Sequence, residues 1–173
     1  MGFPMLISFF SVLAAAVLVV ADQLIKQWAT AVLKPMGAIT VMPGILELRY
    51  YLNDGMAFSM LAGKQTLLIG MTSIMLVCVL LVLLFRKMGP WERISWTLIL
   101  GGGIGNLIDR FFNGVVVDYI NVLFVNFAVF NFADICITTG VILLMAWVLY
   151  DSFRNEKREK EAKQQDGAAD GTD

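Results

Sequence analysis

Four apolar stretches constrain this chain more than any other feature: about Met5 to Ala21, Thr66 to Phe85, about Ile94 to Ile108, and about Phe132 to Tyr150. A helix needs roughly 20 residues to cross a bilayer core of about 30 Å, with about 17 to 25 tolerated. The first, second and fourth stretches fit that length. The third is short and carries Gly101, Gly102, Gly103 and Gly105. Glycines in a membrane helix let a neighbouring backbone approach, so this helix is expected inside the bundle, its span reaching back toward Trp91. Composition agrees: 58% of the 173 residues are hydrophobic and 16% are charged, where soluble domains run nearer half and a quarter. The predicted fold is an all-α membrane protein of four transmembrane helices.

The first stretch superficially resembles a secretory leader. No Lys or Arg precedes Lys26, and no clear A-x-A site closes the run, so a retained span is expected. Basic residues set the orientation. Arg86, Lys87 and Arg93 crowd one short loop, and Arg154, Lys157, Arg158, Lys160 and Lys163 follow Tyr150. The positive-inside rule then puts both termini in the cytoplasm and two longer loops, about 22–65 and 109–131, outside. Residues 1–150 form the membrane domain on this reading. The charged tail, 151–173, is expected to be a frayed helix followed by disorder. In the first outer loop, Leu46, Leu48, Tyr50 and Leu52 alternate with Glu47, Arg49, Tyr51 and Asn53. That is the period of a strand with one buried face, between turns at Pro43-Gly44 and Asn53-Asp54-Gly55.

Several chemistries are excluded. The chain has no His, which removes Ser-His-Asp and Cys-His catalysis, H-E-x-x-H zinc sites and His-held haem. Cys78 and Cys136 lie alone in apolar runs, where they read as small hydrophobes. No metal and no cofactor is implied. A net charge of −1 argues against a nucleic-acid partner.

Only seven acidic residues occur up to Tyr150, and Asp22, Asp109, Asp118 and Asp134 fall in or beside the outward ends of the spans. An ionised Asp at a helix centre costs about 2.5–3.5 kcal/mol on insertion scales, so such groups tend to be used. Asp22 and Lys26 are spaced for an i,i+4 ion pair. Asp109 and Arg110 can anchor a helix end, with Arg110 in reach of a carboxylate or carbonyl and Asn106 one turn earlier. Asp118 stands alone in an apolar run. Asp134 opens the fourth span, where the helix dipole favours a carboxylate. Two carboxylates about 3 Å apart share one proton. One can then act as base on water while the other donates to a scissile carbonyl. The presenilin-type Tyr-Asp with Gly-x-Gly-Asp is not met, since Tyr150-Asp151 falls at the cytoplasmic edge and Gly103-Ile104-Gly105 is followed by Asn106, and the pepsin-type Asp-Thr/Ser-Gly triplet is missing. Two other readings stay open: a small transporter using Asp118 and Asp134 as an ion relay, and a non-catalytic assembly protein packing through its third helix.

Five segments together resemble the lipoprotein signal peptidase (signal peptidase II) family over about Ala21 to Thr138. They are Asp22-Gln23 with Lys26; Asn53-x-Gly55-x-Ala57-Phe58; Gly102-x-x-Gly105-Asn106-x-x-Asp109-Arg110; Val117-Asp118-Tyr119; and Phe130-Asn131-x-Ala133-Asp134. The resemblance implies an aspartic endopeptidase of the bacterial cytoplasmic membrane, with its site at the outer face. The implied substrate is a diacylglyceryl-modified prolipoprotein, cut just before the lipidated Cys. Asp118 and Asp134 would be the catalytic pair. Asn53, Gly55, Asn106, Arg110 and Asn131 would be the polar residues supporting it, and Asp22 a structural support. The outer strand would belong to a small β-cradle, and membrane lipid would be the other partner of a monomeric enzyme. Asp54 is an extra acid beside the second segment. Phe58, Phe130 and Phe132 are candidates for an apolar rim, and Met56, Met60, Met71 and Met75 read as adaptable packing.

Overall fold

The computed structural model describes residues 3–55 and 63–169, with side chains over 6–55 and 63–161. Met56, Ala57, Phe58 and Met60 lie outside the described residues. In chain order the elements are α1 (Phe3–Met36), β1 (Ala38–Met42), β2 (Leu46–Asn53), α2 (Gln65–Phe85), α3 (Pro90–Asn113), β3 (Val116–Val122) and α4 (Phe132–Ala169). Three helical segments, Leu6–Met36, Gln65–Phe85 and Phe132–Glu161, are long and apolar enough to cross a membrane.

α1 outlasts its apolar run by fifteen residues. Hydropathy falls after Ala21, but the polar residues that follow sit on an inward stripe: Asp22, Lys26, Ala29 and Leu33 are all buried. Their spacing of four, three and four is one face of a helix, so the segment expected to be loop remains helical. At about 1.5 Å per residue the 34 residues span roughly 50 Å, well beyond a bilayer core. Gly37 ends the helix in a left-handed conformation (φ 83°), donating to the Leu33 carbonyl at 2.8 Å.

α3 is the central helix and packs against α1, α2 and α4. Pro90 preorganises its first turn after Gly89. Its glycines face three different neighbours. A β-carbon on Gly101 would lie 2.9 Å from Leu18 Cβ of α1, one on Gly103 2.5 Å from Leu76 Cδ2 of α2, and one on Gly102 would strike the Ala133 carbonyl of α4. The expectation of a helix inside the bundle matches this packing. At the far end, Glu92 is buried in an ion pair with Arg86 at 2.9 Å, and Arg93 reaches Ser8 Oγ at 3.3 Å.

The strands form one antiparallel sheet in the order β1-β2-β3. Only β2 was legible as alternation. β1 and β3 are too short or too uniformly apolar for that signal, and β3 is buried from Val116 to Tyr119. Ala29 and Leu33 of α1 pack with Val117 and Tyr119, joined by Leu48 and Tyr50. The alternation in β2 does not persist to its end. Leu48 pairs with Ile120 but Tyr51 with Asp118, so β2 advances three residues while β3 advances two. This bulge leaves Leu52 exposed and puts Asn53, opposite Val116, on the Asp118 face. α4 remains helical through Ala169, farther than the tail's composition suggests. Exposed i,i+4 pairs support it, Lys160–Glu156 at 2.6 Å and Lys157–Glu161 at 3.8 Å.

Candidate active site

Asn131 precedes the first residue of α4 and caps it. Its Oδ1 accepts the Asp134 N–H at 3.0 Å, and the Asp134 carboxylate accepts the Asn131 N–H at 3.1 Å. This is a reciprocal capping box with Asp in the usual Glu position. The other open N–H groups of that turn are also filled. Phe132 donates to the Tyr119 hydroxyl at 3.1 Å and Ala133 to Asp22 Oδ1 at 3.1 Å. Asp22 thus stitches α1 to the start of α4.

Because Asn131 spends its oxygen on the cap, its amide N–H groups are free for the site. Nδ2 donates to Asp118 Oδ1 at 2.6 Å and to Asn106 Oδ1 at 3.1 Å. A hairpin brings the two together: Ile120 and Phe130 exchange backbone hydrogen bonds of 2.8 and 3.1 Å, so the chain leaving β3 doubles back beside Asp118. Asn53 Nδ2 donates to Asp118 Oδ2 at 2.9 Å, and Asn106 Nδ2 donates to Asp134 Oδ1 at 2.7 Å. Among the described residues each carboxylate therefore holds two N–H donors, and Asn131 touches both. Gly55 donates to Asn53 Oδ1 at 2.9 Å, and its carbonyl accepts from Arg110 at 3.0 Å. All eight residues singled out in the sequence thus belong to one hydrogen-bonded assembly.

The two acids differ in surroundings. Asp118 is 1% exposed, while Asp134 is only partly buried and sits in the first turn of α4. Burial and the neighbouring Asp134 carboxylate push the Asp118 carboxyl up to about 7, against the opposing hydrogen bonds from Asn53 and Asn131. Asp54 is exposed and outside the cavity lining. Burial also raises the Tyr119 phenol to about 12, leaving it a neutral hydroxyl.

Asp118 and Asp134 open into a cavity of about 400 Å³ together with Asn53, Asn106 and Arg110. Its apolar wall is formed by Phe127 to Phe130 and by Ile135, Ile137 and Thr138 of α4. Phe130 is in that wall as expected. Phe132 instead packs under the sheet. Among the described residues, no group of three or more Cys, Asp or Glu side chains could hold a metal ion.

Sequence reasoning missed the hub behind this assembly. Lys26 Nζ lies 2.8 Å from both Asp22 Oδ2 and Asp109 Oδ2 and 2.9 Å from Asn106 Oδ1. Gln23 adds a donor to Asp109 at 3.2 Å and to the Gly105 carbonyl at 3.1 Å. The i,i+4 pairing with Asp22 was visible in the spacing, but nothing local pointed to Asp109 eighty-three residues away.

Bilayer-length apolar helices beside a cavity that holds two carboxylates define a membrane protein with a buried acidic site. Comparison with known proteins is more specific. Residues 14–150 match the family model described as signal peptidase (SPase) II. The lipoprotein signal peptidase of Lactococcus lactis subsp. lactis (strain IL1403) is 41% identical over 134 residues, covering 77% of this chain and 89% of that protein. The lipoprotein signal peptidase of Trichormus variabilis is 36% identical over 149 residues, covering 86% and 94%. A bacterial membrane enzyme solved by the in meso method at 2.3 Å resolution superposes with a TM-score of 0.76 at 31% identity, covering 83% of this chain and 89% of that one. This chain belongs to the signal peptidase II family and is a bacterial membrane peptidase.

Proposed function

We propose that the chain is an aspartic endopeptidase that removes the signal peptide from diacylglyceryl-modified prolipoproteins, cleaving just before the lipidated Cys. One observation carries the catalytic part: a single amide, Asn131, donates to Asp118 and is locked by Asp134, in a shared cavity. In this reading Asp118, the more deeply buried acid, is the proton donor and Asp134 the base. Asp134 takes a proton from water as the water oxygen attacks the scissile carbonyl carbon. Asp118 simultaneously gives its proton to the carbonyl oxygen. The resulting gem-diol collapses when Asp134 passes its proton to the departing nitrogen and Asp118 recovers one from a hydroxyl. Arg110 and Asn53 line the same cavity and in this reading hold the peptide backbone.

The apolar wall suits a substrate whose acyl chains stay in lipid while its peptide bond meets water. In this reading α3 is a fourth span. Its 24 residues reach roughly 36 Å, and its charged ends, Glu92–Arg93 and Asp109–Arg110, flank the glycine-rich middle. Both termini are cytoplasmic, the sheet and cavity face outward, residues 1–150 make the working unit, and a monomer suffices. Membrane lipid is the second partner.

The test uses purified protein in detergent with a diacylglyceryl-modified prolipoprotein, scored by gel shift and by the mass of the released peptide. Cleavage by wild type, and none by Asp118→Asn or Asp134→Asn, is the expected result. Cleavage by a folded double variant would overturn the pair. Equal cleavage of the unlipidated precursor would overturn the substrate.

A further inference from the structure

The proposed chemistry needs Asp134 to keep a donor on the oxygen facing α3, and Asn106 supplies it. An asparagine amide is nearly symmetric in shape, and turning it over exchanges donor for acceptor. A turned Asn106 would aim its carbonyl at the Asp134 carboxylate. The opposite end of the amide opposes that turn. Asn106 Oδ1 accepts from Lys26 Nζ at 2.9 Å and from Asn131 Nδ2 at 3.1 Å. An ammonium can only donate, and this one is 3% exposed and pinned by Asp22 and Asp109.

We infer that Lys26, which lies outside the catalytic cavity, is a positioning residue for the aspartate pair: it holds the Asn106 amide in the one orientation that donates to Asp134. The inference rests on the aspartic reading above. Lys26 also acts on the pair by its charge, opposing the rise at Asp118. The ionisable groups around Asn106 and Asp134 are Asp22 and Lys26 from α1, Asp109 and Arg110 from α3, and Asp118 and Tyr119 from β3. β2 contributes neutral Asn53, and α2 has no charged residue between Gln65 and Phe85.

Removing Lys26 alone would strand two buried carboxylates, so the informative variant is charge-balanced: Lys26→Met with Asp109→Asn. Thermal unfolding in detergent establishes that it folds. Its cleavage of the lipidated prolipoprotein is then followed against pH. The expected result is a kcat at least about tenfold lower with KM held within about twofold, as for an interaction felt in the reaction rather than in binding. The acidic limb of the profile moves up by about one pH unit, because a donor to the ionised form is lost. The matching variant Lys26→Gln with Asp109→Asn restores a donor to Asn106 without the charge and returns the limb toward wild type. A purely structural Lys26 would lower stability and leave the limb in place. A folded Met variant with the wild-type limb overturns the inference.

If the Met variant does not fold, the wild-type protein decides. With ¹⁵N-labelled Asn in micelles, the Asn106 side-chain amide should be rigid and should shift with the acidic titration of the pair. A mobile or unresponsive amide overturns the inference. This measurement needs no turnover. A wild type that cleaves nothing refutes the proposed function, and the amide still decides the role of Lys26.

Discussion

Replacing Asp118 by Asn should make the protein more stable as it makes it inactive, and the gain should depend on pH. The Asp118 carboxyl rises from its ordinary 3.8 to about 7 on folding, through burial first and the Asp134 charge second. A carboxyl raised in the folded state binds its proton more tightly there than in the unfolded chain. Its contribution is therefore fully favourable below about pH 4, and stability declines as pH climbs through the folded value near 7. At 1.36 kcal/mol per unit, the whole rise amounts to about 4 kcal/mol. Roughly 2.6 kcal/mol of that is lost between about pH 5 and pH 8. The group is almost fully buried, so solvent screening subtracts little.

Asn has no proton to lose and removes this pH dependence. It cannot accept from Asn53 and Asn131 with both ends, and one misplaced donor costs about 1–3 kcal/mol. The net gain near pH 8 is then about 1–3 kcal/mol, or roughly 2–12 °C in Tm for a chain of this size. Thermal unfolding of both proteins in one detergent at about pH 5 and pH 8 measures it. The difference between them should shrink, or change sign, at the lower pH. A gap that does not change with pH, or a wild type more stable at pH 8 than at pH 5, would refute the assignment of a perturbed carboxyl at this position.

The same protonation sets the rate profile: kcat/KM should fall about tenfold per pH unit above about pH 7, as Asp118 loses the proton it must donate, measured with the lipidated substrate. Gly105→Ala should cost about 1–3 kcal/mol by overpacking, because its β-carbon would lie 2.5 Å from Asp22 Oδ2, inside the Lys26 ion pair; thermal unfolding reads the loss, and an unchanged Tm would count against the packing described. Asn131→Ala removes the cap of α4 and the bridge between the acids together. It should cost about 0.5–2 kcal/mol in stability and on the order of a hundredfold in kcat, seen by unfolding and cleavage assays on the same preparation.

Legibility in the sequence followed the range of each signal. Three long apolar runs read directly as helices, and the four glycines of α3 read as a helix meant to be surrounded. Asp118 and Asp134 stand out in the sequence because an Asp in an apolar run is expensive, and the structure brings both to one cavity. Other features were invisible for a common reason. Sequence pattern ends α1 too early, because Asp22 and Lys26 look like loop residues until their partners on α3 and α4 are known. β3 gave no alternation because both its faces are buried.

Local pattern thus determined the helices, the alternation that opens β2, and which carboxylates fall in apolar runs, since backbone preference and desolvation cost act on residues near one another in the chain. Tertiary structure decided the rest. The bulge in β2 turns Asn53 toward Asp118. The hairpin after β3 carries the cap of α4 to the same carboxylate. A lysine from α1 is enclosed by an aspartate and an asparagine from α3. Each depends on the register and packing of segments tens of residues apart, where a shift of one residue moves a side chain to the opposite face, and no local pattern encodes that register.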